Sequence, residues 1–382
     1  MGIRRHFQRA LLFASLLTGG IACAQVIPEE LLARYENLVR DYNVVTLGNL
    51  NLNGVHTDGG IAVGGNLTLG NNTVLVRDNI VSSNPTVYVN GQITLNSNAQ
   101  LNHGFVSAPN ISSTAWSYNP PNQQRGIKIN GRTLSYNTSH PSSFENPKDV
   151  SGPAGWNWTD VRAEALSISA GLAGLSPNGT ITVNSQSLTF VSSGSTVTVF
   201  TLDANRLGNG FYDVNNDGIF QESERIANLK INIGADEYFV INVVNATSAD
   251  GSKKLFQNLN INEGSNSDHL LWNILPDANG NTPDILNLAS NLYGSILAPD
   301  IDMMRSGSGN YLYGQLLVGS YTQQNAGEIH YNGGFNGPVF SPVPEPSTYA
   351  LIACSLCAVG IVIRRRWQAR QAARPPEESA RL

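Results

Sequence analysis

The stretch NLNLNGVHTDGGIAVGGNLTLGNNTVLV, residues 49–76, decides the fold. Apolar and polar residues alternate along it in short runs, and Gly or Asn stands wherever the chain must turn. A period of two over a few residues is the pattern of a half-buried strand, and Gly/Asn clusters mark tight corners. Further on, Leu292-Tyr293-Gly294 recurs as Leu312-Tyr313-Gly314, twenty residues later. Each copy is followed by an apolar strand, SILA (295–298) or QLLVG (315–319). A period near twenty, with inward aliphatics and Asn/Gly corners, suits the stacked coils of a β-helix. A β-sandwich gives the same local alternation. The abundance of Asn fits stacked corners, where each side-chain amide can satisfy the backbone of the neighbouring coil.

Two helices interrupt this texture. PEELLARYENLVRDYN (28–43) has Pro28 in the first turn, Glu29 and Glu30 at the positive end of the dipole, and Leu31, Tyr35 and Leu38 on one face. TDVRAEALSISAGLAGL (159–175) opens on Thr-Asp and ends before Ser-Pro-Asn-Gly. The expected fold is therefore mainly β: a right-handed β-helix-like solenoid with one or two flanking α-helices, plus a C-terminal transmembrane helix.

The two ends read as addresses. Arg4, Arg5 and Arg9, an apolar stretch from Ala10 to Leu17 and the small-residue site Ala22-Cys23-Ala24 have the layout of a secretory signal peptide, residues 1–24. All three cysteines, Cys23, Cys354 and Cys357, lie in the terminal segments, so a domain over 25–340 carries neither disulfides nor a Cys-metal site. Of 23 Lys+Arg, three precede residue 25 and six follow Ile363; of 28 Asp+Glu, two follow Ile363. The middle thus holds 14 basic and 26 acidic groups, a balance of −12. Nucleic acid is excluded as a partner by that sign, since phosphate binding needs a basic footprint; divalent cations are favoured.

Near the other end stands VPEPSTYALIACSLCAVGIVIRRRW, Val343 to Trp367. The apolar run 349–363 is short for a bilayer-spanning helix, and Arg364, Arg365 and Arg366 would hold its end in the cytoplasm. Val343-Pro344-Glu345-Pro346, a short apolar helix and an arginine cluster resemble the PEP-CTERM sorting signal (341–367), followed by a basic, polar tail, 368–382. That resemblance implies an exosortase-type processing enzyme as partner in a Gram-negative bacterium, transient anchoring in the inner membrane, and delivery to the cell surface or extracellular matrix. Its usual setting is exopolysaccharide and biofilm.

A second resemblance covers residues 41–336. DYNVVTLGNLNLNGVHTDGGIAVGGNLTL (41–69), HLLWNILPD (269–277), YGSILAPD (293–300), YGQLLVGS (313–320) and GEIHYNGGF (327–335) together resemble the choice-of-anchor A domain. The resemblance implies an adhesin-like, β-helical surface domain without catalytic residues. A more distant likeness is to bacterial ice-binding β-helices.

The sharpest local motif is DVNNDGIFQESE, Asp213 to Glu224, which fits D-x-[DN]-x-[DN]-G-x5-E at Asp213, Asn215, Asp217, Gly218 and Glu224. Residues at positions one, three and five turn oxygens inward, Gly218 permits the bend, Ile219 offers its carbonyl, and Glu224 closes the site with two oxygens. The expectation is a structural Ca2+ loop; the alternative is an acidic turn. Its flanks look like strands, so a paired EF-hand is not expected. Weaker candidates are His56 with Asp58 and Asp300 with Asp302 as acid–base or metal pairs, the latter two standing after Ala298-Pro299 at a coil corner where Asp commonly serves turn geometry, His330 as a hydrogen-bonded structural histidine, and Trp116, Trp156 and Trp158 as either sugar platforms or cover for a solenoid flank.

Three functions compete. The first is a non-enzymatic surface or matrix protein holding exopolysaccharide or cell-surface glycans. The second is an ice- or crystal-face-binding β-helix, which needs one flat face of ranked threonines, and no T-x-T register repeats along the chain. The third is a polysaccharide-processing enzyme, which needs a carboxylate cluster on one face.

Overall fold

The computed structural model describes residues 27–78, 86–111, 116–119, 124–136, 153, 156–208, 210–246, 260–263, 266–276, 291–305, 311–323, 327–338, 361 and 363–368. The chain divides into two compact units, Val26–Val339 and the joined ends, Met1–Gln25 with Phe340–Leu382. In the unit of the ends, 363–368 are helical and exposed, Arg364, Arg365 and Arg366 among them. The signal peptide, Val343 to Pro346 and nearly all of the apolar run 349–363 lie outside the described residues. Among the described residues no helix is long and apolar enough to cross a membrane.

In the larger unit the 49–76 stretch folds as its alternation requires. Val44–Thr46, Leu50–Leu52 and Val55–Thr57 form one coil; Ile61–Val63, Leu67–Leu69 and Val74–Leu75 the next; Val87–Val89, Ile93–Leu95 and Ala99–Leu101 a third. Equivalent strands pair parallel and in register: Val44 with Ile61 and Ile61 with Val87, Leu50 with Leu67 and Leu67 with Ile93. The coils thus generate three stacks of strands. Asn ladders join their corners, as the composition implied: Asn49 Oδ1 accepts the Asn66 N–H (2.9 Å) and Asn66 Oδ1 accepts the Gln92 N–H (2.8 Å). Glycine is required beside them, since a Cβ on Gly91 would stand 2.5 Å from Asn66 Oδ1.

The coils do not stack in chain order. After Val106–Ser107 and the antiparallel strands Trp116–Asn119, Gln124–Ile129 and Arg132–Tyr136, the chain forms a helix and re-enters the first stack at its opposite limit, Val197–Asp203. It then works back through Tyr238–Val244, Leu270–Ile274, Ser295–Arg305 and Leu316–Gln323, and this last strand pairs with the first coil, Val44 against Leu316. The seam between the two halves therefore joins residues as far apart as Asn51 and Thr322, 271 positions in sequence. The predicted repeat is real: Leu292 pairs with Leu312 and Tyr293 with Tyr313, in register. The strands expected at 295–298 and 315–319 are longer, because Ser295–Arg305 and Leu316–Gln323 run on around a corner from the first stack to the second, with a register shift between Ala298 and Asp302.

Two helices cover the outer side of the first stack. Helix α1, Pro28–Val39, buries Leu31, Leu32, Tyr35 and Val39, and α2, Trp158–Ala173, buries Val161, Ala165, Ile168, Ser169 and Leu172. Their apolar stripes share one core with Val45, Ala62, Val240, Leu271, Leu297 and Leu317. Strands of this stack are consequently buried on both sides, as in Val44–Thr46, Ile61–Val63 and Leu270–Ile274, and read as unbroken apolar runs. α1 stops at Val39, short of Asn43, because the Gln315 amide donates to the Val39 and Tyr42 carbonyls (2.7 and 2.9 Å) and Asn43 turns to bond Gly314 O (2.8 Å).

Candidate adhesive face

With the first stack covered, the second lies open. Its strands are buried, part-exposed, buried in Leu50–Leu52 and Leu67–Leu69, so the middle residue of each points out. Register aligns these residues in one column: Met304, Thr322, Asn51, Thr68 and Thr94. Asn51 Nδ2 donates to Thr322 Oγ1 at 3.2 Å, which carries the column across the seam. A shallow trough of about 720 Å³ runs beside it, lined by Asn51, Asn53, Thr68, Asn71, Asn96 and Thr322, and no residue lining it is charged. Strand spacing sets the ranks about 4.8 Å apart. Hydroxyls and amides ranked on so stiff a support can bond an ordered lattice of oxygens without an ion pair. No motif announces this column in the sequence, because its members come from both halves of a discontinuous solenoid.

The third stack gathers His56, Asp58 and His330. His330 Nδ1 is 2.7 Å from Asp58 Oδ2 and its Nε2 is 3.0 Å from Glu328 Oε2. Arg77 lies 2.9 Å from Asp58 Oδ1 and 2.7 Å from Glu328 Oε2. His56 Nδ1 is 3.5 Å from Glu328 Oε1, not on Asp58. His330 stacks on Tyr313 at 4.6 Å, and Tyr313 on Tyr293 at 4.7 Å. His56 and Asp58 are not brought together as a pair: the Asp58 carboxylate, 4 % exposed, is engaged by His330 and Arg77. The network clasps the first coil to the closing strand Gly327–His330, which makes His330 the structural histidine expected.

Asp300 Oδ1 faces Arg162 Nη2 of α2 at 3.6 Å, while Asp302, past the register shift, opposes Ser320 on the second stack. Trp156 packs edge-to-face on Trp158 and Tyr42, and Trp158 stacks on Tyr88, at the flank of the first stack. That packing is the covering role, while the side chain of Trp116 lies outside the described residues.

In the Asp213–Glu224 loop the acidic residues that open and close the motif turn inward, Asp213 being 3 % and Glu224 5 % exposed. Asp213 accepts the Asp217 and Gly218 N–H groups (3.2 and 2.8 Å); Glu224 accepts those of Val214 and Gln221 (2.8 and 3.1 Å). Asn215 donates to Asp217 Oδ2 at 3.0 Å, and Ile219 is exposed. A strand, Phe211–Tyr212, and a single 3-10 turn, Glu222–Glu224, flank the loop in place of EF-hand helices. Among the described residues no three His, Cys, Asp or Glu side chains stand together closely enough to hold a metal ion.

A family model described as "Putative Ice-binding-like adhesive domain" matches residues 36–331. Solved structures similar to the chain include an ice-binding protein from Arctic yeast (12% identity, 81% of this chain and 95% of that one, TM-score 0.27). Others are an ice-binding protein from the Antarctic ascomycete Antarctomyces psychrotrophicus (11%, 77% and 96%, 0.26) and ice-binding protein 1 of Shewanella frigidimarina, a DUF3494 domain (10%, 77% and 95%, 0.29). No curated protein matches. The matched family is adhesive, as the choice-of-anchor A resemblance implied, and its description stands nearer the crystal-face reading than the matrix-protein reading. The chain belongs to this ice-binding-like adhesive domain family.

Proposed function

We propose that the chain is an exported, non-enzymatic adhesive domain that grips an ordered surface, ice or another crystal face, with its open second stack. The observation that carries this reading is the in-register, uncharged column Thr322, Asn51, Thr68 and Thr94 beside a trough free of ionisable groups. The test is adsorption of the fluorescently labelled full chain to a growing ice surface, with recrystallisation inhibition as second readout. Thr68→Tyr, which raises a ring in the middle of the column, is expected to weaken adsorption at least tenfold, with Asp300→Asn as an unaffected control. A wild-type chain that ignores ice, or a Thr68→Tyr variant that adsorbs as well as wild type, would overturn the reading. Retention on exopolysaccharide alone would restore the matrix-adhesin reading.

Three further expectations belong to the same proposal. The first is the choice-of-anchor A and PEP-CTERM assignment: Val343, Pro344, Glu345, Pro346 and the arginines 364–366 direct processing by an exosortase-type enzyme after transient anchoring at the inner membrane, and replacing Pro344-Glu345-Pro346 by alanines should leave the unprocessed chain in the membrane fraction. The second is glycan or exopolysaccharide contact at the cell surface. The third is structural calcium: Asp213, Asn215, Asp217, the Ile219 carbonyl and Glu224 offer the oxygen donor set calcium takes, and the ion would brace the loop. Calorimetric titration that shows no heat, with melting unmoved by chelator, would reduce the segment to an acidic turn.

A further inference from the structure

We propose that Asn332 is a self-modifying site: in the folded chain its side-chain amide is lost through attack by the Gly333 backbone nitrogen, leaving aspartate or isoaspartate. Asn-Gly is the dipeptide best suited to this ring closure, because glycine has no Cβ to crowd the ring and moves freely through the backbone angles it needs. Six Asn-Gly pairs lie within the described residues, beginning at 53, 90, 130, 178, 332 and 336, and the fold separates them. Five are held back. The Gly54, Gly91 and Gly179 N–H groups, the nucleophiles of their pairs, donate to Asn71 O, Gly65 O and Val199 O at 2.7, 2.9 and 3.0 Å. Asn130 has both amide atoms committed to Leu95, Nδ2 to its carbonyl and Oδ1 to its N–H. Gly337 is buried against α1, where a Cβ would stand 2.9 Å from Glu36 Oε2, and the Asn336 N–H donates to Asp268 O at 3.0 Å.

The pair at 332 escapes these restraints. Asn332 and Gly333 are the central residues of a turn closed by the Gly334 N–H on Tyr331 O (2.8 Å), with φ of 45° and 83°. Such a turn uses the N–H of its fourth residue and leaves that of its third unbonded; among the described residues the Gly333 N–H has no acceptor. Both residues are exposed, and a Cβ on Gly333 would meet nothing within 4 Å, so the backbone has room to rotate toward the side chain. One bond, from Asn332 Nδ2 to Ser267 Oγ at 3.2 Å, holds that side chain. The step balances with water alone. The bond from Gly333 N to Asn332 Cγ forms, the Cγ–Nδ2 bond breaks, and Nδ2 leaves as ammonia with the Gly333 proton; one water then opens the succinimide. Isoaspartate lengthens the backbone by a methylene between His330, held to Asp58, and Phe335, which packs edge-on against Tyr35 of α1.

The test is peptide mapping by mass spectrometry of the full chain aged in mildly alkaline buffer, with each product located by fragmentation. A parallel sample is aged in concentrated urea, where every Asn-Gly pair is freed. In the folded chain Asn332 is expected to convert at least about tenfold faster than any of the other five, since those react only through local opening. In urea the rates should converge, which would show that the fold and not the neighbouring sequence sets the order. An Asn332 that stays intact in the folded chain while it converts in urea would overturn the proposal. So would any of the other five converting ahead of it.

Discussion

Asparagine stands in for a missing strand at both limits of the solenoid. Ile93–Leu95 has a neighbouring strand on one side only. On the other, Asn110 accepts the Ile93 N–H (3.1 Å) and donates to Ile93 O (2.9 Å), and Asn130 does the same for Leu95 at 3.1 and 2.9 Å. A side-chain amide carries one donor and one acceptor in the geometry of a peptide group, so it satisfies an edge residue as a paired strand would. Asn110→Ala removes both bonds and should lower stability by about 1 kcal/mol in urea denaturation, the lower end of the range because water can reach this edge. Asn110→Asp keeps the acceptor alone and should fall between the two. The abundance of Asn in the sequence implied such ladders; which asparagines cap an edge depends on where stacking stops, and no local pattern records that.

The elements that most constrain the first stack are the helices laid on it. α2 is fixed by a buried polar cluster: Asn273 Nδ2 donates to Ser169 O (3.0 Å) and to Asn242 Oδ1 (2.7 Å), Ser169 Oγ donates to Asn273 Oδ1 (2.7 Å), and Asn242 Nδ2 donates to Leu172 O (2.8 Å). Asn273→Ala would strand the Ser169 hydroxyl and the Asn242 carbonyl in a dry interface. We expect a loss of about 1–3 kcal/mol, read as a lowered urea midpoint with loss of helical far-ultraviolet signal. Between the helices, Arg34 holds Glu164 through two bonds, 2.7 and 2.9 Å. The bonding to Arg34 lowers the ionisation of Glu164, so the pair stabilises the fold above the ordinary glutamate range and loses that contribution as pH falls through the lowered value. The groups are 32% and 39% exposed, which limits the effect to under about 1 kcal/mol. The stability difference between wild type and Glu164→Gln should therefore be small at pH 7 and vanish as acidification passes through the lowered value; a difference that grows in acid would contradict the sign. Both helices were legible, the first from apolar spacing and first-turn acids, the second from its Thr-Asp start and the Ser-Pro-Asn-Gly that ends it. Their burial of the first stack was foreshadowed only by runs such as LLWNI, which an amphipathic strand would not show.

At the scale of the whole molecule, legibility ended where contacts became long in sequence. Alternation over 49–76 and the twenty-residue recurrence at 292 and 312 record contacts between successive coils, and both appear in register. The meeting of the first coil with the last does not leave such a trace, because Val44 and Leu316 are each ordinary inward residues of a strand. The candidate face inherits that blindness: Thr322 joins Asn51 and Thr68 only once the halves have met. The same discontinuity leaves Val197–Asp203 as the outermost strand of the first stack, seven residues with one paired side. An edge of that length invites pairing with another chain. Asn178 blocks it: its Oδ1 accepts the Val199 N–H at 2.7 Å, its Nδ2 donates to Val197 O at 3.2 Å, and its own N–H donates to Val199 O at 3.0 Å. Asn178→Ala removes the two side-chain bonds and loosens the segment that lies over the edge. Within one chain these strands run parallel, but two copies of the same edge meeting across a twofold axis run antiparallel and close on each other, so the expected product is a dimer rather than a fibre. Sedimentation velocity across a concentration series should show a monomer–dimer equilibrium for Asn178→Ala where wild type gives one species. An unchanged sedimentation profile at the highest concentration would mean that the backbone of 178–179 guards the edge without help from the asparagine side chain.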